Sequence, residues 1–272
     1  MSLPLRQCCV IGWPIAHSRS PLIHRLFAEQ FGMALRYEKR AVQPGTVLAT
    51  LAHLRQLGVL GINVTVPLKE EAYPLADHPH ARAQAAGAAN TLWFDESGQL
   101  HADNTDGVGL VRDLSFLAVN FQQARILVLG AGGAARGILP ELARHNRHPI
   151  TVANRNPARA AALPQANEFE LIPLEREFAQ PFDLVINATS ASLTAHTAPA
   201  LSASAVGPLT CCYDLSYGQD ETLFLAWARA QGVAARHDGL GMLVEQAAEA
   251  FRLWHGKQPE TRAIVAYLRQ PR

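Results

Sequence analysis

The amino-acid sequence predicts an α/β chain of two domains, and three observations carry that expectation. Short apolar runs of strand character alternate with longer runs of helical period along the whole chain. Gly12, Pro67 and Gly130 each close one of the strand-like runs, leaving room for a crossover helix to follow. The tripeptide Glu96-Ser97-Gly98 lies between the runs 90–94 and 100–103. It marks a hairpin, and so an antiparallel pair at the edge of an otherwise parallel first sheet.

Taken in order, Cys8-Cys9-Val10-Ile11 reads as the first strand, ended by Gly12. Ser20-Pro21 opens a helix with Ser20 as its cap and proline at the first helical position, and Leu22, Ile23, Leu26 and Phe27 supply its buried stripe. A second strand spans 35–42, and Val47, Leu48, Leu51 and Leu54 mark a second helix stopped by Gly58. The run 61–67 reads as a third strand closed by its proline. After the hairpin, a helix over 107–117 carries the chain into the second domain. Strands at 126–129, 150–152, 183–186 and 212–215 build that domain. A last amphipathic helix over 243–254 returns to the first domain. Leu243, Ala247, Ala250 and Trp254 form its apolar stripe, Glu245, Glu249 and Arg252 lie opposite, and Gln246 falls at the stripe's edge.

Composition narrows the function classes. The 272 residues suffice for one large domain or two ordinary ones, and 49% hydrophobic with 17% charged residues is a globular profile. A formal net charge of +1 offers no field for nucleic acid, so any bound anion needs a local cluster. No apolar run approaches a membrane span, and the start of the chain lacks a signal-peptide layout, so a cytoplasmic protein is expected. The cysteines come as adjacent pairs, Cys8-Cys9 and Cys211-Cys212, whose members point to opposite strand faces. That excludes a disulfide or metal clip within a pair and predicts buried, reduced thiols.

The strand 126–129 runs directly into Gly130-Ala131-Gly132-Gly133-Ala134-Ala135 and then into the helix-compatible 136–144. This is G-x-G-x-x-A in the strand-turn-helix setting of a dinucleotide site. Gly130 permits the tight turn, Gly132 admits the pyrophosphate and Ala135 keeps the helix close to the strand. The helix N-terminus adds free N–H groups and partial positive charge. An NAD site would place an acid at the end of the next strand. Here that strand ends in Asn154-Arg155-Asn156, with Arg159 one turn on, so two guanidiniums could clamp the 2′-phosphate of NADP. The plainer alternative is a pair of solvated surface arginines.

In the first domain, polar runs collect at strand ends, where open α/β sheets bind ligands: 17–20, 63–69, 87–91 and 103–107. Their hydroxyls, amides, lysine and carboxylate suit a small polyhydroxylated acid. Singly, each has a plain alternative: Ser20 as a cap, Asn90 as a turn residue, Lys69 as a solvated charge. The sequence lacks H-E-x-x-H and spaced Cys/His clusters, so no metal is expected, and it lacks the G-x-S-x-G elbow of an acyl-enzyme hydrolase.

Together, I-A-H-S-R-S-P at 15–21, N-V-T-V-P-L-K at 63–69, A-N-T at 89–91 and D-N-T-D-G at 103–107 resemble the shikimate dehydrogenase family. So do G-A-G-G-A at 130–134, N-R at 154–155, I-N-A-T-S at 186–190 and D-G-L-G-M-L-V-E-Q-A at 238–247. The resemblance runs in order through almost the whole chain. It implies NADP-linked reduction of 3-dehydroshikimate to shikimate, a step of aromatic amino-acid biosynthesis. It also implies that Ser18 and Ser20 hold the substrate carboxylate. Asn63, Thr65, Asn90, Tyr217 and Gln246 belong to the substrate set, and Lys69 with Asp106 manages the proton. Gly130, Ala131, Gly132, Gly133, Ala134, Asn154, Arg155, Asn156, Arg159, Leu215 and Gly239 would hold the cofactor.

The sequence departs from the family pattern in places. Leu215 stands where relatives often carry methionine, Asn156 and Ala158 replace hydroxyl residues, Ala81 replaces an acid, and the glycine usual after Ser190 is missing. The resulting expectation is a mixed-sheet α/β substrate domain over 1–105, completed by 240–272. A Rossmann-type doubly wound NADP domain over 106–239 joins it across a cleft. The partner is a small molecule, not nucleic acid or membrane, and the chain is a monomer or homodimer. Two competing readings remain: an NAD-linked quinate/shikimate dehydrogenase, which would carry an acid near 154–156, and a non-catalytic NADPH sensor, which would not need both Lys69 and Asp106.

Overall fold

A computed structural model describes residues 5–189, 200–218 and 220–270. Ser190, which closes the I-N-A-T-S run, and the loop after it lie outside the described residues. Contacts divide the chain into two units. One runs to Gly109 and is joined by Val244–Gln270; the other is Leu110–Leu243.

The first unit contains β1 (Arg6–Gly12), α1 (Ser20–Gln30), β2 (Leu35–Ala41), α2 (Val47–Gln56) and β3 (Gly61–Val64). α3 (Lys69–Ala72), β4 (His78–Pro79), α4 (Ala81–Ala86), β5 (Thr91–Phe94) and β6 (Leu100–Asp103) follow. Its six-stranded sheet has the order β2-β1-β3-β5-β6-β4. β1 is parallel to β2 and β3, the pairs β3/β5 and β5/β6 are antiparallel, and β4 is parallel to β6. The C-terminal ends of β1, β3 and β6 and the N-terminal end of β5 therefore share one edge of the sheet. Ile11, Leu54, Ile62, Leu68 and Leu92 form part of a fully buried core on one face. On the other, Cys8 packs with Ala250 and Trp254 of a late helix, α9 (Leu240–His255). A Cβ at Gly61 would collide with the Trp254 indole, so that strand needs glycine to seat the helix.

Several local expectations are corrected. β3 stops at Val64, because the Leu68 N–H donates to the Thr65 carbonyl and turns the chain into α3. Ser20 is the first helical residue, not the cap: Arg19 holds the cap position and the Ser18 hydroxyl accepts the Ser20 N–H at 3.3 Å. The hairpin is not the sheet edge, since the two-residue β4 pairs outside β6. α9 begins at Leu240, and it is followed by α10 (Arg262–Leu268). Glu245 and Glu249 are buried rather than solvated, held by ion pairs with Arg262, Arg82 and Arg252.

The second unit takes up most of α5 (Asp106–Phe116), then β7 (Ile126–Leu129), α6 (Gly133–His145), β8 (Ile150–Ala153), α7 (Pro157–Ala161) and β9 (Phe169–Ile172). β10 (Leu184–Asn187), β11 (Cys211–Asp214), α8 (Leu223–Ala230) and β12 (Ala235–Asp238) complete it. The sheet order is β12-β11-β10-β7-β8-β9, all parallel, which is the doubly wound arrangement with its switch point between β7 and β10. Val128 and Ile186 face one core, Leu127 and Val185 the other. The cysteine pairs follow the same alternation: Cys211 and Cys212 enter opposite cores, as do Cys8 and Cys9. All four are free and buried, and burial pushes the Cys8, Cys9 and Cys212 thiols up to about 12.

Candidate active site

The shared edge of the first sheet gathers the polar runs. Lys69 is the first residue of α3, just past the β3 end, and Asp106 opens α5 just past β6. Lys69 Nζ donates to Asp106 Oδ2 at 2.6 Å, with side chains only 11% and 5% exposed. Breaking a buried pair of this kind by removing one partner leaves the other without compensation, so the two side chains act as a unit. On the far side of the pair, Asp106 Oδ1 accepts from Asn90 Nδ2 at 2.8 Å.

Asn90 is the junction of the cluster. Its Nδ2 donates to Asp106, to Thr105 Oγ1 at 2.9 Å and to Gln246 Oε1 at 3.2 Å. Its Oδ1 accepts the Thr105 N–H and the Thr91 hydroxyl, each at 2.8 Å, which sets the orientation of the amide. Asn104 supports the same loop, its Oδ1 accepting the Asp106 N–H at 3.1 Å. Asn63 lies beside this group with both ends engaged. Oδ1 accepts the Tyr37 hydroxyl at 2.7 Å and Nδ2 donates to the Asn90 carbonyl at 3.2 Å. Past β1, Ser18 Oγ donates to Ser20 Oγ at 3.2 Å, and both hydroxyl residues are buried. Thr65 is half-buried beside Gly12, where a Cβ would press on its methyl.

The structure thus brings Lys69, Asn90, Asp106 and Gln246 into one hydrogen-bonded cluster, with Asn63 attached. Ser18 lies in the loop after β1, Ser20 opens α1 and Thr65 follows β3, all in the same unit. Tyr217 is half-buried after β11 in the second unit. Sequence reasoning overlooked Thr91 and Thr105 as network members, although both sat inside motifs it quoted.

In the second unit, the turn after β7 can be tested against a dinucleotide. Gly130 holds φ +104°, and a Cβ there would lie 3.2 Å from the Ala188 backbone of the neighbouring strand's exit. Only glycine meets both conditions. α6 starts without a side-chain cap, which leaves its first N–H groups for an anion. A Cβ at Gly132 would find only the Arg159 guanidinium, 3.5 Å away. A positive group thus stands over the cradle, and the residues fit a pyrophosphate. Asn156 has its side-chain oxygen committed to the N–H groups of Ala158 and Arg159, and Asn154 donates to the Asn156 carbonyl at 2.7 Å. Arg155 is exposed at the end of β8. Gly239 is required by the Leu215 carbonyl, which a Cβ would strike. Among the described residues no group of three or more His, Cys, Asp or Glu side chains is placed to hold a metal, and no helix is long and apolar enough to cross a membrane.

One chain carrying a doubly wound unit with a glycine turn fit for a pyrophosphate and a mixed-sheet unit with a buried Lys–Asp pair belongs to the class of nicotinamide-nucleotide-linked oxidoreductases. The comparisons name its family. Residues 10–92 match the shikimate dehydrogenase substrate binding domain, 114–212 match shikimate/quinate 5-dehydrogenase, and 239–266 match the shikimate 5′-dehydrogenase C-terminal domain. The chain is 48% identical over 267 residues to a shikimate dehydrogenase (NADP(+)) of Marinobacter nauticus, covering 96% of this chain and 97% of that one. It is 50% identical over 268 residues to the enzyme of the same name from Dechloromonas aromatica, covering 96% of each. The crystal structure of shikimate 5-dehydrogenase from Thermus thermophilus in complex with NADP(H) and shikimate aligns with TM-score 0.86 at 34% identity, covering 97% of this chain and 98% of that one. The chain belongs to the shikimate dehydrogenase family.

Proposed function

We propose that the chain reversibly reduces 3-dehydroshikimate to shikimate with NADPH, as a step of the route to aromatic amino acids, with Lys69 and Asp106 as the proton-managing pair. The observation that carries the reading is the buried 2.6 Å Lys69–Asp106 contact, closed on its far side by Asn90. Bound NADPH would supply a hydride to the carbonyl carbon and NADP would accept it in the reverse direction. The ketone oxygen then becomes an alkoxide, which must take a proton in or just after the transition state. Lys69 Nζ, aimed by its contact with Asp106, is the donor for that proton, and in shikimate oxidation it takes the proton back. Asp106 keeps one oxygen on Lys69 and the other on Asn90, so it orients the ammonium without itself giving up a proton.

Ser18 and Ser20 offer buried hydroxyls for the substrate carboxylate. Thr65, Asn90 and Gln246 serve its hydroxyl side, with Tyr217 assigned there on the family pattern alone. Asn63, with both ends engaged, holds the sheet edge that carries Asn90. Gly130 to Ala134 cradle the pyrophosphate, Arg155, Arg159, Asn154 and Asn156 form the 2′-phosphate end, and Leu215 and Gly239 the nicotinamide end. The substrate is a small molecule, the compartment cytoplasmic, and the assembly a monomer or homodimer. Steady-state kinetics with shikimate and quinate, each with NADP and NAD, test the assignment. The expected result is the highest kcat/KM for shikimate with NADP. Preference for quinate with NAD, or NADP binding without turnover of shikimate, would overturn it.

A further inference from the structure

Arg82 belongs to none of the motifs and touches neither Lys69 nor Asp106, yet its guanidinium joins two buried carboxylates from distant parts of the chain. Nε and Nη2 fork onto Asp103 at 3.0 and 2.6 Å, and Nη1 reaches Glu249 Oε1 at 3.0 Å. Asp103 and Glu249 are 3% and 2% exposed. Glu249 is also held by Arg252, at 2.7 and 3.1 Å. Charge-assisted, forked contacts of this kind fix direction as well as distance.

Each end of the fork holds a segment of the candidate site. Asp103 Oδ1 also accepts the Asn104 N–H at 2.7 Å, and the Asp103 carbonyl accepts the Asn90 N–H at 3.2 Å. Asn104 in turn receives the Asp106 N–H, so Asp103 governs the loop that ends in Asp106. Glu249 lies on α9 three residues, nearly one turn, beyond Gln246. Arg82 itself is in α4, whose exit at Gly87, φ +56°, leads through Ala88 and Ala89 to Asn90. There the Ala89 N–H donates to the Lys69 carbonyl at 2.9 Å. One guanidinium therefore ties together the three segments whose side chains meet at Asn90 Nδ2: its own, that of Asp106 and that of Gln246.

We propose that Arg82 is a positioning residue for this reaction, its fork holding the Asn90–Asp106–Gln246 junction in register and so setting how the Lys69–Asp106 pair meets the substrate. The proposal rests on the function assigned above. Lysine would be a poor substitute, because a single ammonium does not reproduce a planar fork that also reaches a third carboxylate oxygen.

Two variants test it. Arg82→Lys keeps a cation against both carboxylates. Arg82→Met combined with Asp103→Asn and Glu249→Gln removes the fork without stranding a buried charge. Both are expected to fold, with parental near-ultraviolet circular dichroism and an unchanged KM for NADP. kcat/KM for shikimate should fall roughly ten- to hundredfold, the scale of a small misplacement of reacting groups. The pH profile of kcat should also move, because the Lys69–Asp106 geometry has changed. Parental shikimate kinetics in either folded variant would overturn the proposal. So would equal losses toward shikimate and NADP with a lowered Tm, which would mean Arg82 supports the fold alone. If the parent enzyme itself does not turn over shikimate, the assigned function falls and this proposal with it. If the parent does and the variants match it, only the role of Arg82 falls.

Discussion

Lys69 and Asp106 lie 37 residues apart in sequence and 2.6 Å apart in space. The partnership follows from two strand ends meeting on one sheet edge. Lys69→Ala should lower kcat by ~10²–10⁴ with a smaller change in the shikimate KM, the usual scale for losing a positioned acid or base. Near-normal kcat with only a raised KM would show that Lys69 merely binds. The serines are read differently. Ser18→Ala and Ser20→Ala should each raise the shikimate KM, through loss of a hydrogen bond to a charged carboxylate worth ~1.5–3 kcal/mol, and leave the NADP KM in place. An unmoved shikimate KM in both would reduce the two hydroxyls to the local turn contact seen between Ser18 Oγ and the Ser20 N–H. At this scale the sequence marked the residue types well, because hydroxyls, amides and one lysine stood just past strand-like runs. It did not show who bonds to whom. Asn63 was marked by its motif, while the Tyr37 hydroxyl on its oxygen comes from a strand 26 residues earlier.

Elements with a strong local signature were legible and those without one were not. The strand β7, its glycine turn and α6 could be read directly, since φ +104° at Gly130 and a close approach to Ala188 leave only one residue type. β12, Ala-Arg-His-Asp, and the two-residue β4, His-Pro, have no apolar alternation to announce them. The polar face assigned to α9 failed for a physical reason. Glu245 and Glu249 are buried because Arg82, Arg252 and Arg262 neutralise them, and periodicity is blind to partners from elsewhere in the chain. The two arginines of the expected 2′-phosphate clamp follow β8 within one turn of each other. Arg155 sits exposed at the end of β8, and an Arg159 nitrogen lies 3.5 Å from where a Cβ at Gly132 would stand. Arg155→Ala should therefore weaken NADP by ~1.5–3 kcal/mol, roughly ten- to hundredfold, and leave NAD nearly untouched. Arg159→Ala, assigned to the same 2′-phosphate end, should likewise weaken NADP more than NAD. The check is kcat/KM for NADP and NAD at low and high ionic strength. Equal loss of the two cofactors in Arg155→Ala would remove the physical support for a 2′-phosphate clamp there.

On the scale of the whole molecule, alternating strand and helix runs were enough to predict an α/β chain with a doubly wound part. The sheet orders were not, because pairing of β1 between β2 and β3 depends on long-range packing that no local run encodes. The same packing buries a group with consequences for stability. His24, on α1, is fully buried, stacked on Tyr37 at 4.3 Å and facing Trp254 at 5.5 Å, with Phe27 and Phe251 nearby. Asn63 lies close enough to favour the charged ring slightly, but neither ring nitrogen meets hydrogen-bond geometry. Burial pushes the imidazole down from 6.5 to about 3, with the nearby His255 adding to the fall. A group with a lowered pKa contributes its stability in full above 6.5. That contribution is lost as pH falls toward about 3, because in this window the unfolded chain binds a proton that the folded chain refuses. The slope is about 1.4 kcal/mol per pH unit, so His24 alone should remove roughly 2 kcal/mol between pH 6.5 and pH 5. His255, lowered to about 4 by burial and then by Arg6, acts in the same direction, while Asp214, raised by burial, acts in the opposite one. His24→Phe keeps an aromatic ring between Tyr37 and Trp254 and removes the titrating group. Its Tm should therefore fall less than the parent's between pH 7 and pH 5, while the two proteins respond alike between pH 7 and pH 8. Parallel Tm curves over the acid range would mean that His24 is not the neutral, unsolvated imidazole that its packing describes.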